Sequence, residues 1–75
     1  MTYDRVKAII VSHLGVDPDT VEPETKFTAL GADSLDMLEL SMSFEDEFNT
    51  RISDDDLDGI VTVQDAVNKV QELVR

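Results

Sequence analysis

Apolar residues recur at helical spacing in three stretches of this 75-residue chain. Val6, Ile9, Ile10 and Leu14 form one stripe, predicting a first helix capped by Thr2, running to about Leu14 and stopped by Gly15. Leu40, Phe44 and Phe48 follow at four-residue spacing, with Met37 on the same side, predicting a second helix from about Ser34 to Phe48 with Asp33 or Ser34 as its N-cap. Val63, Ala66, Val67, Val70 and Leu73 or Val74 form the last stripe; Thr62, with Asp65 three residues on, marks its start. Ser53 with Asp56 suggests a short helix near Asp54–Gly59. Nothing alternates as a strand does. The expected fold is all-α, a small four-helix bundle of three long helices and one short, in a single domain covering residues 1–75.

The polar pattern adds two features. The connection from Gly15 to about Ala32 is long for a compact domain, and such loops are often functional. Asp17-Pro18-Asp19 and Glu22-Pro23 give it turns, Val16, Val21, Phe27 and Leu30 pin it to the core, and Gly31 allows a sharp entry into the second helix. That helix also carries a second apolar stripe, Leu35, Leu38 and Met42, roughly opposite the first and flanked by Asp36, Glu39, Glu45 and Asp46. A small bundle has no second core to bury it. Either Leu38 or Met42 packs under the long loop, or the stripe is an exposed docking strip rimmed by acids, to which methionine lends adaptability.

Composition narrows the chemistry. So short a chain supports one modest core and not a deep pocket with a full catalytic apparatus. Without cysteine there is neither a disulfide nor a thiolate metal site. No apolar run approaches a membrane span, and Met1–Arg5 is unlike a signal peptide, so a cytoplasmic protein is expected. Seventeen acids against six bases give a formal net charge of −11, which disfavours nucleic acid and anionic membranes and favours basic protein surfaces. The segment Phe27–Thr50 holds six acids and no lysine or arginine.

The candidate reactive residue is Ser34, placed between Asp33 and Asp36 where the long loop meets the second helix. The only histidine, His13, lies about twenty residues upstream, near a helix C-terminus that mildly favours its cationic form. With no evident base or oxyanion machinery, a hydrolase using Ser34 fails, and the serine reads as a place where another enzyme attaches a group. The chain is not expected to be an enzyme. A rival motif, Asp54-x-Asp56-x-Asp58-Gly59-x-Val61 ending at Asp65, has the glycine and apolar positions of an EF-hand calcium loop. It ends on aspartate rather than glutamate, and the alternative is a short acidic helix. No dedicated metal ligands are assigned.

Gly31-Ala32-Asp33-Ser34-Leu35-Asp36, then Leu38-Glu39-Leu40 and Phe44-Glu45-Asp46-Glu47-Phe48, resembles the acyl carrier proteins of fatty-acid synthesis. Val6–Ile10, Leu14-Gly15-Val16 and Thr62–Val67 extend the resemblance over nearly the whole chain. It implies a carrier of acyl thioesters on a 4′-phosphopantetheine arm attached to Ser34 by a phosphopantetheinyl transferase. It further implies Asp33, Leu35, Asp36, Glu39 and Met42, with Glu45 and Asp46 beside them, as a docking face for fatty-acid enzymes with basic patches. Phe27, Met37, Leu40, Phe44, Ile52, Leu57, Ile60 and Val63 would line the acyl chain. A monomer is expected. Thr28-Ala29, Ser41, Ser43 and Arg51 depart from the family pattern, and Met37 and Phe44 are bulky for a chain-lining wall. A dissociated polyketide or specialised lipid pathway is the alternative.

Overall fold

The computed structural model describes residues 1–74. Among these, four α-helices follow in order: α1 (Thr2–Leu14), α2 (Ser34–Phe48), α3 (Asp54–Asp58) and α4 (Val63–Leu73). The start of α1 differs from expectation. Met1 occupies the N-cap without a side-chain bond, and Thr2 is already helical. The Arg5 N–H donates to the Met1 carbonyl at 3.2 Å, which places the cap one residue earlier. The other end is as expected: Gly15 adopts φ 67°, and its N–H closes the helix on the Val11 carbonyl.

The other three helices each begin with a reciprocal capping box. Asp33 and Asp36 open α2, Ser53 and Asp56 open α3, and Thr62 and Asp65 open α4. In each, the cap side chain accepts an N–H of the first turn, and the third helical residue returns an acceptor to the cap N–H. The N3 residue is aspartate every time. The first of these boxes places Ser34 in the first turn of α2.

α1 packs against both α2 and α4, and α3 packs against α2. The core joins Val6 and Ile10 of α1, Leu40 and Phe44 of α2, and Val63, Ala66, Val67 and Val70 of α4. Val21 and Phe27 enter it from the long loop, and Ile52 and Ile60 from either side of α3. Leu73 packs against this cluster, whereas Val74 stays exposed. Two polar side-chain contacts join opposite ends of α1 and α2. Arg5 meets the end of α2 through Glu47 at 2.7 Å, with its guanidinium over the Phe48 ring at 4.5 Å. His13 meets the start of α2. The two helices therefore run antiparallel.

The long loop is more ordered than its sequence pattern indicates. It contains two 3-10 turns, Pro18–Thr20 and Phe27–Leu30. Asp17 caps the first by accepting from the Asp19 N–H at 2.9 Å. Between them the chain is joined to the start of α4. Phe27 N–H donates to the Val61 carbonyl, Val63 N–H to Thr25, and Gln64 N–H to Pro23, leaving one isolated antiparallel bridge between Lys26 and Thr62. Gly31, at φ 85°, then turns the chain into α2.

Candidate functional site at the start of helix α2

Ser34 is exposed at the first residue of α2. The cap belongs to its neighbour: the Asp36 N–H donates to Asp33 Oδ1 at 2.9 Å, and the Asp33 N–H donates to Asp36 Oδ2 at 3.1 Å. Capping therefore does not consume the Ser34 hydroxyl. The positive end of the helix dipole lies at the same turn, where a phosphodiester's negative charge is favoured. An exposed hydroxyl held at a helix start fits attachment of a phosphate-linked arm.

The second stripe of α2 is on the surface. Leu35 is 61% exposed, Leu38 46% and Met42 49%. Asp33 and Asp46 are exposed, and Asp36 and Glu39 are half-buried beside them. Glu45 is committed elsewhere. Its carboxylate accepts the Ile52 N–H at 2.6 Å and holds the segment leading to α3. Ser41, buried within α2, returns its hydroxyl to the Leu38 carbonyl at 2.6 Å and so stays satisfied.

The inner face of α2 meets the remaining candidates. Phe27, Leu40, Phe44, Ile52, Ile60 and Val63 are buried, and Met37 and Leu57 pack against them as partly buried residues. All eight thus belong to one apolar cluster. α3, five residues long, contributes no fully buried residue of its own and is the lightest wall around that cluster.

The calcium-loop reading is overturned. Asp54–Asp58 is wound into α3 rather than arranged as a ligand loop. Asp56 accepts from the Ser53 backbone and pairs with Lys69 at 3.3 Å. The Ser53 side chain foremost, then Lys69 and the Ser53 backbone, hold its carboxyl below the usual range. Asp65 accepts the Thr62 and Val61 N–H groups, both at 3.0 Å, and the same bonds lower its pKa. These carboxylates terminate helices instead of converging on an ion.

One contact was not anticipated from the sequence. His13 Nε2 lies 3.3 Å from Glu39 Oε1 and 3.7 Å from Asp36 Oδ1. Only the antiparallel register of α1 and α2 brings these residues together. The i, i+3 spacing of Asp36 and Glu39 was visible in the chain, but its partner was not.

Comparison with known proteins agrees with this architecture. Residues 4–70 match the family described as the phosphopantetheine attachment site. The acyl carrier protein of Zymomonas mobilis subsp. mobilis is 51% identical over 95% of this chain and 92% of its own length. The crystal structure of an acyl carrier protein from Thermotoga maritima superimposes with a TM-score of 0.84 at 35% identity, covering 99% of this chain and 92% of that one. The fold and site define a phosphopantetheine-dependent carrier. The chain belongs to the phosphopantetheine attachment-site family, on its acyl carrier side. It is a carrier, used by a phosphopantetheinyl transferase and by biosynthetic enzymes, and not itself a catalyst.

Proposed function

We propose that Ser34 is the attachment residue and that this domain, residues 1–75, carries acyl intermediates of fatty-acid biosynthesis in the cytoplasm as a monomer. The observation that carries the site assignment is the division of labour at the start of α2: Asp33 caps, and Ser34 remains exposed. In the attachment step the Ser34 hydroxyl oxygen bonds to the pantetheine-side phosphorus of coenzyme A. The bond to the adenosine 3′,5′-bisphosphate leaving group breaks, and the transferase removes the serine proton. The arm, once bound, supplies a thiol that holds acyl groups as thioesters.

The roles of the chain's own residues follow from their placement. Leu35, Leu38 and Met42 offer apolar contact beside Ser34. Asp33, Asp36, Glu39 and Asp46 give that face a negative field suited to basic enzyme surfaces. An acyl chain enters by parting the cluster around Met37, Leu40, Phe44, Leu57 and Ile60 on the α3 side.

Intact-mass measurement after incubation with coenzyme A and a phosphopantetheinyl transferase tests the site. One phosphopantetheine should be added to the wild type and none to Ser34→Ala. Modification of the variant, or labelling at Ser12, Ser41, Ser43 or Ser53, overturns the assignment. The chain-lining reading has its own test. A medium-length acyl group should raise the thermal midpoint above that of the unacylated arm, because it gains apolar burial only in the folded state. Equal midpoints would leave the acyl chain in solvent.

A further inference from the structure

We infer that His13, Asp36 and Glu39 form a site for a zinc-class divalent ion, bridging the end of α1 to the start of α2. Each residue offers one ligand atom, and the three atoms lie within 4.8 Å of one another. Nitrogen with two carboxylate oxygens suits zinc, cobalt or nickel rather than calcium or magnesium, which prefer oxygen alone.

The spacing favours a shared ion over a direct pair. A charge-assisted N–H···O bond is about 2.7–2.9 Å long. His13 Nε2 stands at 3.3 and 3.7 Å from its two carboxylate oxygens, too far for that bond. Zinc binds histidine nitrogen and carboxylate oxygen at about 2.0–2.2 Å, so two ligands on one tetrahedral edge stand about 3.3–3.6 Å apart. The two His13 separations are close to that edge length, and the third, between the two carboxylates, lies within 4.8 Å.

Support for the ligands is already built. The Asp33 N–H donates to Asp36 Oδ2, fixing that carboxylate, while Oδ1 is the atom that faces His13. This is the outer-sphere hydrogen bond that orients metal-ligating carboxylates. The site is partly sheltered. Although His13 as a whole residue is exposed, its side chain is 25% exposed, with Asp36 at 31% and Glu39 at 45%. Three protein ligands leave a fourth position for water. Asp36 and Glu39 also belong to the docking face proposed above, so an ion seated here neutralises part of that face. The binding test does not depend on the carrier reading, since it uses no partner enzyme and no arm.

Titration of the full-length, metal-free protein with Co²⁺ and Zn²⁺, followed by cobalt absorption and calorimetry, tests the site. One equivalent should bind, with imidazole-ligand bands in the cobalt spectrum, and the His13 ring resonances should shift on zinc addition. His13→Gln and Glu39→Gln, each checked for unchanged helicity, should weaken zinc binding at least tenfold. Asp54→Ala, in α3, should leave it unchanged. Equal zinc affinity in wild type and His13→Gln, or calcium competing at the zinc concentration, would overturn the proposal and leave only general attraction of cations to an acidic surface.

Discussion

Asp33 and Ser34 are adjacent polar residues that differ sharply in what the fold asks of them. Asp33 accepts the Asp36 N–H and so satisfies one of the orphan donors of α2, while Ser34 follows it with an exposed side chain. Replacing Asp33 with alanine should cost about 0.5–2 kcal/mol of stability, the usual loss for a removed cap. Ser34→Ala should change stability by less than about 0.5 kcal/mol, as surface substitutions away from structural features do. Urea denaturation of both variants measures the contrast, and a large loss for Ser34→Ala would make that serine structural. The sequence left the cap open between the two residues, because either side chain is a good N-cap. Backbone position alone separates them. His13 shows the opposite limit: nothing in its local sequence points toward Asp36 and Glu39, because the pairing arises from how α1 lies on α2.

Helices α2 and α4 were legible because two independent signals, caps and an apolar stripe, coincide at each. In α2 and α4 an apolar stripe begins just after a capping pair, and both stripes are buried as expected at Leu40, Phe44, Val63, Ala66, Val67 and Val70. α3 had caps without a buried stripe, yet it forms, with Ser53 and Asp56 satisfying its first turn. The two 3-10 turns and the Lys26–Thr62 bridge were not legible. The bridge depends on residues far apart in the chain, and short turns lack a period to detect. The aspartate caps also make element stability sensitive to acid. The carboxyl of Asp65 is held below the usual range by N–H groups of Thr62 and Val61. A depressed folded pKa means that its contribution is full above the unfolded value of about 3.9 and lost as pH falls through the lower folded value. Asp65→Ala should therefore lower the thermal midpoint at pH 7, and the gap to wild type should close as pH falls below that range. Thermal scans across pH check this; a gap that persists at the acid end would assign the loss to packing rather than to the ionised cap.

At the scale of the whole molecule, charge and shape decide what meets this chain. The net charge of −11 is spread over a body of 29 × 26 × 19 Å. At physiological salt the Debye length is about 8 Å, so a partner responds mainly to the face it approaches. Two acidic regions provide a comparison. Asp36 and Glu39 stand near the His13 end of α1, beside the exposed Leu35–Met42 strip. Glu22 and Glu24 lie near Tyr3, at the other end of α1, where burial foremost, and then the charges of Glu22, Glu24 and Asp4, raise the phenol pKa. Ten residues of helix separate Tyr3 from His13, about 15 Å at 1.5 Å per residue. That distance exceeds the screening length. Asp36→Lys or Glu39→Lys should therefore slow association with a basic partner enzyme, most clearly at low salt, while helicity is retained. Glu22→Lys with Glu24→Lys should have a much smaller effect, although the double variant changes net charge more than either single reversal. Stopped-flow association rates at several ionic strengths provide the measurement. If the loop pair slows association as much as the α2 reversals, net charge rather than the face beside Ser34 recruits the partner. If only the α2 reversals matter, recruitment is local to the helix that presents the serine.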